Sequence, residues 1–125
     1  MKFTFGRNNR LKSKLILASL FDKGSLFVSK PILLRYTLTL ASEASIQAAF
    51  SVGKKRFKRA VDRNLLKRRI REVHRLNQHR FLEQLQAGPY KLEVLYIYTD
   101  KTIADFQSIQ NGMNAFFDSR LVLPK

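Results

Sequence analysis

Lys54-Lys55-Arg56-Phe57-Lys58-Arg59-Ala60-Val61-Asp62-Arg63-Asn64-Leu65-Leu66-Lys67-Arg68-Arg69-Ile70-Arg71-Glu72 is the stretch from which the architecture of this 125-residue chain can be read. Ten of its nineteen residues are Lys or Arg, against two acids. From Val61 onward its apolar residues recur at helical spacing, which predicts a long helix from about Phe57 or Arg59 to near Gln86. Placed ~100° apart, Arg63, Asn64, Lys67, Arg68, Arg71, His74 and Arg75 share one arc of roughly 140°. Val61, Leu65, Leu66, Ile70, Val73 and Leu76 occupy the other side, the expected core face. Asp62, Arg69 and Glu72 also fall there, as at a border where a long stem lies over apolar surface. A helix this basic repels itself unless a polyanion or counterions lie beside it.

On the N-terminal side, Met1–Lys12 reads as a basic arm (Lys2, Arg7, Arg10, Lys12). Ser13 then caps a short helix, Lys14–Asp22, stopped by Gly24. Leu26–Leu40 reads as one strand, with Pro31 near its start where a missing N–H costs least. Alternation sends Ile32, Leu34, Tyr36, Leu38 and Leu40 to a core face. Leu33, Arg35, Thr37 and Thr39 go to a wet one. Ser42–Ser45 is a turn, and Ile46–Val52 an antiparallel returning strand that ends at Gly53. Beyond the long helix, Gly88-Pro89 is a break and Tyr90–Thr99 the clearest strand. Thr102 with Asp105 resembles a capping box. It opens a helix whose stripe is Ile103, Phe106, Ile109, Met113, Phe116 and Phe117, and Leu121–Lys125 is a tail. The order α-β-β-α-β-α makes the chain a single α+β domain over 1–125, a mostly antiparallel sheet with helices over its apolar face.

Composition narrows the function. A formal charge of +15 and a pI near 10.7 point to a polyanionic partner. No apolar run approaches the ~18 residues of a membrane span, so no membrane is expected. No cleavage-site pattern follows the N-terminal apolar run. The absence of cysteine removes thiolate and disulfide chemistry and fits a reducing cytoplasm. The nine acids are scattered without a metal-binding spacing, and the two histidines are too few for a His-rich site, so autonomous catalysis is not expected. Arg63, Lys67 and Arg71, four residues apart, form a ridge that can follow a phosphate backbone, with the Asn64 amide beside it. Glu72 is placed to pair with Arg68 at i,i+4.

The pattern Lys54-Lys55 … Ala60-Val61-x-Arg63-Asn64-x-x-Lys67-Arg68-x-x-Arg71-Glu72 closely resembles the signature of the bacterial ribonuclease P protein subunit. Arg10-Leu11-Lys12, Phe21 with Gly24, and Phe50-Ser51-Val52 extend the likeness over nearly the whole chain. The resemblance implies an α-β-β-α-β-α fold with a left-handed βαβ crossover. It also implies a small basic subunit of a ribonucleoprotein endoribonuclease. In that enzyme the RNA holds the catalytic Mg²⁺ and cleaves the 5′ leader from precursor tRNA, and no further protein partner is required. Carried over by position, Lys54, Lys55, Arg63, Asn64, Lys67, Arg68 and Arg71 contact the RNA subunit. A leader cleft would be lined by Leu17, Phe21 and either Arg35 or Tyr36. Alternation favours Arg35, and a bulge would reverse that choice. Leu17 stands where an aromatic is common, which implies weaker stacking and more weight on charge. The competing reading is a structural RNA-binding protein, such as a ribosomal protein.

Overall fold

In the computed structural model, which describes residues 24–86 and 88–119, the stretch expected as one strand is a hairpin. β1 (Ser25–Ser29) and β2 (Ile32–Leu40) are antiparallel, with Ser29 opposite Ile32 and the turn at Lys30-Pro31. Proline has no N–H for a ladder and here sits between strands rather than inside one. Its carbonyl accepts from the Thr99 N–H at 2.8 Å and from Thr99 Oγ1 at 3.0 Å. The expected basic arm, the helix over Lys14–Asp22 and the C-terminal tail lie outside the described residues.

The other elements are β3 (Ser45–Ser51), α1 (Ala60–Leu85), β4 (Tyr90–Tyr98) and α2 (Phe106–Asp118). The sheet order is β1-β2-β4-β3. β3 was expected to return antiparallel to the strand before it; instead it pairs in parallel with β4, Ile46 opposite Leu92 and Phe50 opposite Tyr96. The sequence of β4 accounts for this. Leu92, Val94, Leu95, Tyr96 and Tyr98 are all buried, so β4 is a two-faced strand that belongs in the middle. β3 carries Gln47, Ala49 and Ser51 and suits an edge. α1 connects β3 to β4, returning the chain in the same direction.

One face of the sheet meets both helices. Ile32, Leu34, Tyr36, Ile46, Ala48, Leu92, Val94, Tyr96 and Tyr98 pack with Leu66, Ile70, Val73, Phe81 and Leu85 of α1 and Ile109, Met113, Phe116 and Phe117 of α2. Among these, each fully buried Leu, Ile, Val, Phe or Met side chain contributes ~1.5–3 kcal/mol over its exposed state. The apolar alternation of β2 outlasts the core: Leu38 is half-buried and Leu40 exposed. The opposite face is not simply wet, because Leu33, Arg35 and Thr37 are half-buried and Leu95 is buried.

The cap of α2 is Asp105, whose carboxylate accepts from the Ser108 N–H at 2.8 Å. Thr102, expected to cap, is held in the preceding loop, where its carbonyl accepts from the Tyr98 hydroxyl. Ile103 is consequently exposed rather than part of the core stripe. Gly112 lies so close to the hairpin turn that a Cβ there would sit 2.6 Å from the Lys30 carbonyl oxygen. A bare backbone position lets α2 seat against the turn.

Candidate nucleic-acid interface

The basic loop before α1 is anchored at several points. Phe57, the one apolar residue between Gly53 and Ala60, is buried against Tyr98 with ring centroids 5.7 Å apart. Its N–H donates to the Gly53 carbonyl at 3.2 Å. The Arg56 guanidinium donates to the Thr99 carbonyl at the end of β4. Arg63 Nη1 donates to the carbonyls of Phe57 and Lys58 at 2.8 and 2.9 Å. Lys54, Lys55, Lys58 and Arg59 are left exposed on this pinned loop. Backbone order removes part of the entropy cost that a flexible basic segment meets on binding.

α1 begins at Ala60, slightly later than expected, and is rotated relative to the sequence reading. Its buried residues are Leu66, Ile70, Val73, His74, Gln78, Phe81 and Leu85. Val61 and Leu76, expected in the core, are exposed, and Leu65 is half-buried. The N-terminal half of the helix holds too many apolar residues to define an axis. Phe81 and Leu85 define it, since only one orientation buries them together with Leu66, Ile70 and Val73. The core face therefore lies roughly 100° from the position inferred from the basic stretch.

His74 is the clearest consequence. Expected among the cations, it is fully buried beneath the sheet, with Nδ1 hydrogen-bonded to the Tyr96 hydroxyl at 2.7 Å. Phe50 stacks on Tyr96 at 5.6 Å between centroids. Burial pushes the imidazole pKa down to about 3 and the Tyr96 phenol well up, so both are neutral near pH 7. His74 is a core histidine.

The cationic ridge flanks the core rather than opposing it. Arg63 and Lys67 are half-buried, while Asn64, Arg68 and Arg71 are exposed. Glu72 pairs with Arg75, not Arg68, through bonds of 3.0 and 2.6 Å. Those bonds hold its carboxyl below the ordinary glutamate range. The ion pairs among the described residues, Glu72–Arg75 and Arg80–Asp118, leave out Arg63, Lys67, Arg68 and Arg71. A ridge that the ion pairs of the described residues leave out, beside a pinned basic loop, has the charge and spacing that phosphate groups call for. Arg56 and Phe57 were not anticipated as its anchors, although a lone Phe inside a cationic run was a legible signal.

Of the residues proposed for a cleft, Arg35 and Tyr36 lie on β2. β2 keeps register with β4 from Ile32 opposite Tyr98 to Leu40 opposite Tyr90 without a bulge. Tyr36 is thus in the core, and Arg35 is on the sheet face away from α1 and α2. The structure does not bring Arg35 to the basic ridge. Leu17 and Phe21 lie outside the described residues.

A family model described as Ribonuclease P matches residues 5–120. The chain belongs to the ribonuclease P protein family. The ribonuclease P protein component of Porphyromonas gingivalis is 33% identical over 113 residues, covering 88% of this chain and 82% of that protein. That of Chlorobaculum tepidum is 30% identical over 105 residues, covering 79% and 68%. The fold is shared with the ribonuclease P protein of Thermotoga maritima, with TM-score 0.67, 18% identity, and coverage of 86% of this chain and 94% of that one. It is also shared with that of Staphylococcus aureus, with TM-score 0.65, 20% identity, and coverage of 86% and 90%. As a ribonuclease P protein component, the chain acts in a ribonucleoprotein endoribonuclease of tRNA 5′ processing and works with an RNA that carries the catalysis. The ribosomal-protein alternative is not favoured. No helix among the described residues is long and apolar enough to cross a membrane.

Proposed function

We propose that this chain holds the catalytic RNA through Lys54, Lys55, Asn64, Lys67, Arg68 and Arg71, with Arg63 both contacting RNA and fixing the loop. The observation that carries this reading is a cationic ridge outside the ion pairs of the described residues, next to a basic loop anchored by Phe57. The 5′ leader of precursor tRNA then follows the opposite sheet face past Arg35, and Leu17 and Phe21, outside the described residues, are the further contacts that the family resemblance implies. Tyr36, buried in the core, is not part of that surface. Catalytic Mg²⁺ is held mainly by the RNA. The complex works in the cytoplasm and needs no second protein.

Reconstitution tests this. Protein added to its cognate RNA at low Mg²⁺ is expected to yield mature 5′ ends from precursor tRNA, whereas protein alone yields none. Lack of stimulation overturns the proposal. Stimulation together with an Arg35→Ala variant that discriminates leaders as the parent does would remove Arg35 from the leader path.

A further inference from the structure

The outward face of α1 carries an apolar stripe that neither the core nor the cationic ridge uses. Val61 is 66% exposed, Leu76 39%, and Ile103 in the adjoining loop 42%. Along this stripe a cavity of about 470 Å³ opens between α1 and the start of α2, lined by Leu65, Arg68, Arg69, Glu72 and Phe106. That volume is within the ~300–1,000 Å³ typical of small-ligand pockets.

Its walls are fixed. Arg69 Nη1 donates to the Ala104 carbonyl at 2.6 Å, tying α1 to the approach of α2. Glu72 is held by two bonds from Arg75 and kept ionised by them. Each carboxylate oxygen keeps a further acceptor site. Leu65 and Phe106 supply half-buried apolar surface, and Arg68 is an exposed cation at the rim.

We infer that this cavity receives one unstacked nucleotide of RNA, its base against Leu65 and Phe106 and its phosphate on Arg68. Glu72 accepts from the exocyclic amine of the base, which favours cytosine, adenine or guanine over uracil. The occupant is argued from charge and continuity. The chain carries +15, and Arg68 belongs both to this rim and to the proposed RNA-binding surface. A polyanion laid along that surface delivers nucleotides to the mouth of the cavity, and aromatic and apolar walls are what a splayed base meets in RNA recognition. The inference rests on the RNA-holding role proposed above and adds a base-reading pocket to it.

The test compares Leu65→Glu with Leu76→Glu. Both add one negative charge to the outward face, but only the first enters the cavity. Binding of the catalytic RNA is measured for the parent and both variants, with thermal melting to verify folding. Leu65→Glu is expected to weaken binding at least tenfold more than Leu76→Glu. In parallel, amide and side-chain resonances are followed as cytidine, adenosine, guanosine or uridine monophosphate, or inorganic phosphate, is added at millimolar concentration. The amino-bearing nucleotides should shift Leu65, Glu72 and Phe106 most, and Glu72→Gln should erase their advantage over uridine monophosphate. If the parent binds RNA and the two Glu variants bind it equally, the cavity is not a nucleotide site, while the RNA-holding role stands. If the parent binds no RNA, that role fails first. A parent that sediments as a dimer, which Leu65→Glu dissociates without selective loss of RNA binding, would assign the face to a second copy and overturn the inference.

Discussion

The buried imidazole of His74 should make the fold sensitive to mild acid. In the unfolded chain a histidine titrates near 6.5, whereas in the core His74 does not accept a proton until about pH 3. Between those values the unfolded state binds the extra proton, so stability rises with pH and is lost as pH falls from about 6.5 toward 3. At pH 5 the unfolded state gains about 2 kcal/mol from this one group, a large fraction of a typical domain's margin. The choice of pH 5 separates His74 from the carboxylates. Glu72 and Asp105, both shifted below their ordinary values by hydrogen bonds from Arg75 and Ser108, add their losses only at lower pH. Urea unfolding at pH 7.5, 6 and 5, followed by circular dichroism, is the assay. The parent should lose about 2 kcal/mol more than His74→Gln across this range, even though the variant is less stable throughout. Parallel pH dependence in the two proteins would refute the account, because it would mean that His74 is protonated in the fold.

Other substitutions probe the packing and the interface separately. Gly112→Ala should lower stability by about 1–3 kcal/mol, because the Cβ meets the Lys30 backbone carbonyl and outweighs the better helix propensity of Ala; chemical denaturation measures it. Arg71→Ala should leave the melting temperature unchanged and reduce the slope of log affinity against log salt by about one unit. Arg63→Ala should change that slope too, but it should also lower the melting temperature, since it frees the Phe57 and Lys58 carbonyls; equal melting for both variants would remove the anchoring role. Phe57→Ala should cost about 3 kcal/mol and weaken RNA binding beyond that expected from charge, because it unpins the loop without removing a cation.

The position of α1 and α2, the existence of β4 and the location of the charge were legible from local pattern alone. Helical spacing, the Gly88-Pro89 break and a β-branched, aromatic run are each decided within a few residues of chain. Which face of α1 is buried was not legible, because Val61, Leu65 and Leu76 are as apolar as the residues that reach the core. Periodicity counts apolar residues without knowing where a sheet will lie. The partner of β3 was likewise open, since an edge strand carries no mark of its neighbour. Only the insertion of β4, which must be covered on both faces, settled it. For the same reason His74 could be placed in a basic arc by angle and in the core by packing. Charge, breaks and element type are local properties of this chain, whereas burial, strand order and the protonation of His74 depend on residues far apart in sequence meeting across one core.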